Sequence, residues 1–164
     1  MIILGIDPGT ATTGYGVIDF KPRGKTPLKC LAYGCIKTFP ENSDGHRLQT
    51  IEKEINKIIV SYKPELLAIE RIFFFKNAKT IITVSQARGI IILAATKKKV
   101  PILEFSPLEV KMVISGYGRA EKKQMQEIMQ SLLKLKELPK PDDAADALGI
   151  AICCSRKLKT KKQS

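Results

Sequence analysis

The sequence has few of the residues that build zinc sites and disulfide scaffolds. Its 164 residues include one histidine, His46, no tryptophan, and four cysteines that lack the paired spacing of a zinc motif. We therefore expect reduced thiols in a cytoplasmic protein, and nothing in the sequence supports a catalytic Cys–His pair. No apolar run is long enough to span a bilayer, and Asp7 interrupts the first one, so we expect neither a membrane partner nor a targeting segment.

Acidic residues are also scarce relative to basic ones. The chain has 28 Lys and Arg against 16 Asp and Glu, which gives a net charge of +12. Arg156–Ser164 contains five of these cations and no acid, but the rest of the chain is basic as well. This balance favours a polyanionic partner, with nucleic acid as the first candidate. We expect one domain over residues 1–155 and a disordered basic tail over residues 156–164.

The first twenty residues predict a β-hairpin. Ile2–Ile6 is an apolar run that suits a strand buried on both faces, and it ends at Asp7. Pro8 and Gly9 then turn the chain into a second strand. Asp7 is either a side chain that caps this turn or a ligand held on a rigid element. Leu28–Thr38 predicts a third strand, which completes an antiparallel meander.

A second carboxylate ends a second buried strand. His46–Tyr62 carries apolar residues at helical spacing, and Leu66–Ile69 then predicts a strand parallel to the first. A right-handed crossover of this kind places Glu70 beside the carboxylate that ends the first strand. The alternative is that Glu70 pairs with Arg71 or Lys76 at the surface.

The middle of the chain predicts a long apolar helix followed by a fifth strand. Asn77–Lys99 is apolar on more than one side, so this helix is either central or part of a subunit contact, and we expect the contact of a homodimer. Val100–Phe105 predicts the strand. Three phenylalanines precede the helix. Phe73 is the candidate for wedging between bases, whereas we expect Phe74 and Phe75 to pack on the core.

Basic residues surround a glycine break between two further helices. The spacing predicts helices over Leu108–Ile114 and Arg119–Lys136, separated at Gly116–Gly118. The cations around this break are either an ordinary solvated helix start or a phosphate-binding ridge. They are Lys111, Arg119, Lys122 and Lys123.

The last informative stretch places several carboxylates at the start of a helix. Pro141 and Asp142 mark its beginning, and either Asp142 or Asp143 can share a helix face with Asp146. Capping of the helix is the simple explanation. Asp146 lies within an apolar run, however, and clustered carboxylates stay ionised only when cations neutralise them. Oxygen ligands alone favour Mg²⁺, with Mn²⁺ as a substitute, and two such ions can promote phosphodiester hydrolysis.

Several stretches resemble the RuvC family of Holliday-junction resolvases from Met1 to about Cys154. They are GIDPGTATTGYGVID, AIERIFFFKNAKT, QARG, EVKMVISGYGRAEKKQ and DDAADALGIAI. The resemblance implies an α/β, RNase H-like fold: a five-stranded mixed sheet, made of a three-strand antiparallel meander plus two parallel strands, flanked by helices. It also implies a Mg²⁺-dependent homodimeric endonuclease that resolves four-way DNA junctions by paired symmetric nicks in recombination and repair. The RuvA and RuvB branch-migration proteins are the implied partners.

The resemblance also implies roles for individual residues. The catalytic acids, which would hold two Mg²⁺ ions per subunit, correspond to Asp7, Glu70, Asp143 and Asp146. The residues implied in DNA binding are Phe73 near the junction centre, with Lys111 and Lys122 at the scissile region. Asp142 is an extra acid, so which of the adjacent pair ligates stays open. We expect Asp7 to bridge the two ions.

Other readings of the same residues predict different activities. Actin-like ATPases and sugar kinases also hold phosphates with a strand, a glycine turn and a strand, but they need a second domain. A related RNase H-like nuclease acting on another structured nucleic acid is a nearer alternative. A purely architectural DNA-binding protein would explain the charge but not the acids, which repel phosphate in the absence of metal.

Overall fold

The centre of the fold is a five-stranded mixed sheet, and the computed structural model describes residues 1–24, 26–72 and 80–161. The strands are β1 (Ile2–Asp7), β2 (Thr12–Phe20), β3 (Leu28–Lys37), β4 (Leu66–Glu70) and β5 (Ile102–Phe105). Their order in the sheet is β3-β2-β1-β4-β5. β1, β2 and β3 pair antiparallel, whereas β4 pairs parallel with both β1 and β5. This arrangement confirms the predicted fold class.

Helices cover both faces of the sheet. They are α1 (Asp44–Tyr62), α2 (Ile81–Lys97), α3 (Pro107–Ser115), α4 (Lys122–Leu133) and α5 (Asp142–Lys161). Successive residues of β1 point to opposite faces, so Ile3 enters a core shared with α3, α4 and α5, whereas Leu4 enters a core shared with α1 and α2. The apolar run of β1 is therefore buried on both sides.

Helix α5 approaches the sheet closely because the strands beneath it contain glycine. A Cβ atom at Gly14 would overlap the carbonyl oxygen of Asp143, and one at Gly16 would lie 2.8 Å from the Cα of Leu148. Gly5, which pairs with Gly16 across β1 and β2, also faces the backbone of α5. Glycine in the interior of a strand often permits such a close backbone approach. The contact brings the first turn of α5 to the end of β1.

Two helices are shorter than the sequence pattern predicts. α4 begins at Lys122 rather than at residue 119 because Glu121 and Gln124 form a reciprocal capping box. It ends at Leu133 because Lys134 adopts a left-handed conformation with a φ of 52°. α2 begins at Ile81, and residues 77–79 of its predicted range lie outside the described residues.

The last helix continues beyond the predicted end of the domain. α5 extends to Lys161, so residues 156–161, which the sequence predicted to be part of a disordered tail, continue this helix, whereas residues 162–164 lie outside the described part. Arg156 donates hydrogen bonds to the carbonyls of Val113 and Ile114 at the end of α3. Lys157 forms an ion pair with Glu109 of α3 at 2.6 Å. Two of the predicted tail cations therefore fasten α3 to α5.

No helix in the described residues has both the length and the apolar character needed to cross a membrane.

Candidate active site

The register of the sheet brings Asp7 and Glu70 together. Ile6 of β1 pairs with Ile69 of β4 in parallel, so the residues that follow, Asp7 and Glu70, end neighbouring strands at the same edge. Their carboxyl groups form a hydrogen bond with each other. The alternative partner Arg71 forms an ion pair with Glu104 at 3.7 Å. This contact between strand ends agrees with the prediction from the crossover connection.

The carboxyl group of Asp7 lies in an environment that disfavours its charge. Burial, the nearby charges of Glu70, Asp146 and Asp143, and the hydrogen bond to Glu70 raise the pKa of Asp7 to about 9. A hydrogen bond between two carboxyl groups requires a proton on one of them. The charges of the other three predicted acids therefore all act on Asp7, and a positive charge is needed there to keep the four carboxylates ionised.

The first two turns of α5 supply the other two acids. Asp143 is half-buried, and its backbone lies against Gly14, the residue of β2 that pairs with Asp7. Asp146 follows one turn later, and its pKa is raised, chiefly because the surrounding protein desolvates its carboxyl group, although the residue remains exposed on its outer side. The negative charges of both Asp143 and Asp146 raise the pKa of Asp7. The structure thus brings all four predicted acids to one region.

The neighbouring Asp142 is engaged by α4. Its Oδ2 accepts a hydrogen bond from Lys122 Nζ at 3.1 Å, and its Oδ1 accepts one from Gln126 Nε2 at 3.2 Å. The charge of Asp143 raises the pKa of Asp7, whereas Asp142 raises the pKa of Asp146 and does so more than Asp143. Of the two adjacent acids, Asp143 is the one whose backbone lies against β2 and whose charge acts on the end of β1.

Two of the predicted basic residues lie beside the acids. The positive charges of Lys122 and Lys111 both lower the pKa of Asp146. Lys122 itself has a raised pKa, mainly because of its hydrogen bond to Asp142. Lys111 is carried by α3, and Lys122 by the first turn of α4, so two different helices place cations at the edge of the carboxylate cluster.

The other residues predicted to contact DNA are either outside the described residues or on the exposed surface. Phe73 lies outside the described residues, so the structure provides no test of its predicted position. Arg119 and Lys123 are exposed, and neither is a leading cause of the pKa shifts of Asp7 and Asp146. A cleft of about 350 Å³ between α3 and α4 is lined by none of the four acids. Its lining residues are Ser115, Tyr117, Ala120, Gln124, Glu127 and Ile128.

The donor set fits divalent cations, but the site is not a preformed cage. Within residues 1–24, 26–72 and 80–161, no three Asp, Glu, His or Cys side chains already have the arrangement of a metal site. The packing of the strands and of α5 holds the four carboxylates in one region, and the final arrangement of the ligands is expected to form when cations bind. The raised pKa of Asp7 supports this fit because a buried anion among three other acids needs positive charge.

The glycines under α5 are the functional residues that the sequence reading missed. Gly14 and Gly16 alternate along β2 with residues that point to the other face, and this pattern is the signal that a helix packs closely there. Cys35, which pairs with Gly14 from β3, is also close to the acids. Burial raises the pKa of the Cys35 thiol, and the negative charge of Asp143 raises it further.

This fold and site define a class of protein. The sheet order, the antiparallel meander and the helices on both faces are those of an RNase H-like fold. Carboxylates at the ends of β1 and β4, opposite the first turns of α5, are the ligand type that nucleases of this fold use for phosphodiester hydrolysis. The protein is therefore an RNase H-like nuclease.

Comparisons with known proteins identify the family. Residues 3–154 match the family "Crossover junction endodeoxyribonuclease RuvC". The chain is 53% identical to RuvC of Endomicrobium trichonymphae over 153 residues, which are 93% of this chain and 80% of that protein. It is 49% identical to RuvC of Heliobacterium modesticaldum over 158 residues, which are 96% of each chain. The chain belongs to the RuvC family of crossover junction endodeoxyribonucleases.

A solved structure shows the same fold bound to substrate. Thermus thermophilus RuvC in complex with a Holliday junction substrate is similar to this chain with a TM-score of 0.92 and 30% identity. The match covers 98% of this chain and 96% of that one.

Proposed function

We propose that this protein resolves four-way DNA junctions by paired, symmetric phosphodiester hydrolysis that depends on Mg²⁺, in homologous recombination and DNA repair. The observation that carries the proposal is the convergence of Glu70, Asp143 and Asp146 on Asp7 in a chain of the RuvC family. The junction complex of the T. thermophilus relative supports four-way DNA as the substrate. A purely architectural DNA-binding protein would have no need for four carboxylates that repel one another.

Two Mg²⁺ ions per subunit are the proposed cofactors, with Mn²⁺ as a substitute. Asp7, Glu70, Asp143 and Asp146 provide only oxygen ligands, which Mg²⁺ and Mn²⁺ prefer. Because three other acids act on Asp7, we assign it the central place among the residues that would hold these ions. Bound divalent cations supply the polarisation of water and the neutralisation of phosphate charge that this hydrolysis needs.

The protein's own side chains have distinct roles around that centre. Glu70 is held on the end of a buried strand, and Asp143 on a helix that contacts the sheet backbone, so neither depends on a loop for its position. The charges of Lys111 and Lys122 act on Asp146, and we assign both lysines to contacts with DNA phosphate at the scissile region. We assign Phe73, which lies outside the described residues, to the junction centre on the basis of the family resemblance alone.

We also propose a homodimer through α2. Ala87, Ile91 and Ala94 bury one side of this helix in the core, but Ile82 and Leu93 on its other side are 70% and 45% exposed. The small residues Ser85, Gly89 and Thr96 are also exposed on this outer side. An exposed helix face of small and apolar residues suits close packing against the same face of a second copy. Two active sites related by a two-fold axis would account for paired nicks.

The remaining proposals concern the cellular compartment of the protein and its protein partners. The four cysteines, all within the described residues, are unpaired thiols, which suits the reducing cytoplasm. RuvA and RuvB are the proposed partners, on the basis of the family resemblance alone.

A junction-cleavage assay tests the proposed activity. Each strand of a synthetic four-way junction is labelled in turn and incubated with the full chain in Mg²⁺ or in EDTA, with linear duplex of the same sequence as control. We expect symmetric nicks in two strands of like polarity, in Mg²⁺ only and on the junction only. Nicking in EDTA would contradict the metal requirement, and equal nicking of the duplex would contradict junction specificity.

A further inference from the structure

Large apolar side chains are exposed on α3 and on the loop that follows it. Leu108 and Met112 of α3 are 61% and 49% exposed, and Tyr117 of the loop is 59% exposed. These are three of the ten exposed large apolar residues in the described part of the chain, and they fall within ten consecutive positions. A cluster of this kind on a surface marks a contact site more often than three scattered side chains would.

The loop presents Tyr117 on a fixed backbone. Ser115 Oγ donates a hydrogen bond to the carbonyl of Tyr117 at 2.8 Å and accepts one from its backbone N–H at 3.1 Å. Gly116, between them, has the left-handed conformation that this tight turn needs, with a φ of 74°. The backbone that carries the ring is thus held in place while the ring itself remains open to solvent.

The loop also packs directly on the exposed side chains of α3. A Cβ at Gly118 would lie 2.7 Å from Leu108 Cδ1 and 3.3 Å from Met112 Sδ, so the loop backbone contacts both residues. Leu108, Met112 and Tyr117, connected in this way by Gly118, are called the α3 platform below. The three side chains therefore belong to one continuous surface.

The platform adjoins the carboxylate site. Lys111 lies three residues after Leu108 and therefore on the same side of α3, and its charge lowers the pKa of Asp146. α3 packs on α5 about one turn after Asp146, since a Cβ at Gly149 would lie 3.3 Å from both Val110 Cγ1 and Ile114 Cδ1. The opposite face of α3, with Val110 and Ile114, is buried in the core. A strand with a phosphate at Asp146 and Lys111 therefore passes beside the platform.

We propose that bases next to the cleaved phosphodiester leave their stack in the junction and pack against the α3 platform, with Tyr117 as the stacking ring. This inference rests on the proposed function and adds the way in which the site holds a distorted strand. DNA is favoured over a protein partner because the surface combines an exposed aromatic ring on a fixed backbone with a lysine, Lys111, beside it, and the chain has a net charge of +12.

A thermodynamic cycle that combines variants of Tyr117 with junctions lacking single bases tests the platform. The affinities of wild type, Tyr117→Ser and Tyr117→Phe are measured in EDTA on an intact junction and on junctions with one abasic nucleotide within three positions of the mapped nick. We expect Tyr117→Ser to bind the intact junction about five- to tenfold more weakly, the effect of losing one stacked base. Tyr117→Phe keeps the ring and should bind like wild type. On the abasic junction that lacks the contacted base, all three proteins should bind equally.

Controls separate this contact from other effects. Val60 of α1 is 59% exposed, the same as Tyr117, but it precedes β4 at the sheet edge opposite the acids, so Val60→Ser should bind like wild type. The double variant Leu108→Gln/Met112→Gln is a second test of the platform, and thermal melting followed by circular dichroism shows whether it folds. If Tyr117→Ser loses the same affinity for the intact and the abasic junctions, the base contact is overturned. It is also overturned if Tyr117→Ser changes the sedimentation of the protein but leaves its affinity for the junction unchanged. If wild type nicks junctions but shows no such coupling, this inference alone fails, whereas absence of junction nicking removes the proposed function itself.

Discussion

Replacing Asp7 with asparagine should abolish nicking and at the same time stabilise the metal-free protein. Asp7→Asn removes a proposed ligand of both ions, so activity should be lost. The amide keeps the shape of the side chain and can donate a hydrogen bond to Glu70, but it carries no charge that Asp143 and Asp146 repel. The same substitution thus has opposite effects on function and on folding.

The size of the stabilisation follows from the pKa of Asp7. Its folded-state pKa is raised from 3.8 to about 9, so the folded chain binds a proton that the unfolded chain has already lost at neutral pH. Each pKa unit corresponds to about 1.4 kcal/mol, which gives an upper limit of about 4 kcal/mol at pH 7. For a chain of this length, 1 kcal/mol changes Tm by about 2–4 °C. We therefore expect Asp7→Asn to raise the Tm in EDTA, by no more than about 8–16 °C.

The pH dependence has a definite sign. A group whose pKa is raised on folding contributes its full stability below its unfolded pKa and loses it as pH rises through the folded pKa. The Tm difference between Asp7→Asn and wild type should therefore be small near pH 4 and widen towards pH 9. Binding of Mg²⁺ should raise the Tm of wild type and have a smaller effect on the variant.

Thermal melting in EDTA and in Mg²⁺, together with junction nicking, checks each part. Asp19→Asn is the matched control, because Asp19 pairs with Ile2 at the opposite end of β1 and forms an ion pair with the N-terminal amine at 3.2 Å. This control should keep its nicking activity and should not be stabilised. A metal-free Asp7→Asn protein that melts at or below the wild-type temperature would refute the reasoning from burial and repulsion. Nicking by the variant in Mg²⁺ would refute the ligand role.

Three further predictions concern the choice of ligands and the packing of α5. Asp143→Asn should abolish nicking, whereas Asp142→Asn should keep most of it, since Asp142 is bonded to α4; equal effects in the nicking assay would contradict this distinction. Gly14→Ala should lower Tm and nicking together, because its Cβ would overlap α5, while Gly45→Ala has open space and should be neutral or slightly stabilising. Arg156→Ala should lower Tm by removing two hydrogen bonds to α3, about 1–3 kcal/mol in unfolding free energy, and unchanged melting would show that the contact is unimportant.

The strands and the four acids could be predicted because their signals are local. An apolar run that ends in a carboxylate, repeated after a crossover helix, determines which strand ends meet, and the pairing of Ile6 with Ile69 confirms it. The choice between Asp142 and Asp143 could not be made in this way. Both lie in the first turn of one helix, and the difference between them is set by Lys122 and Gln126 of another helix.

The basic tail shows a second limit of local reasoning. The cations of residues 156–161 look like a solvated charge run in the sequence, because nothing nearby in the chain indicates a partner. Arg156 and Lys157 instead contact α3, more than forty positions earlier. Lys157 lowers the pKa of Glu109 to about 2, and its ammonium group lies 5.3 Å from the centre of the Phe105 ring. Contacts of such long sequence separation become visible only when the helices are packed.

Helix α5 connects the stability of this fold to its chemistry. Its buried residues, including Ala147, Leu148 and Ala151, anchor it against the sheet, and this anchor holds Asp143 and Asp146 near Asp7 against their repulsion. Repulsion of this kind would move a loop, but a helix fixed along its length by apolar packing can resist it. The core under α5 therefore supplies the free energy that keeps the acids together until cations bind, and the glycines of β1 and β2 are what allow that core to form so close to the catalytic edge.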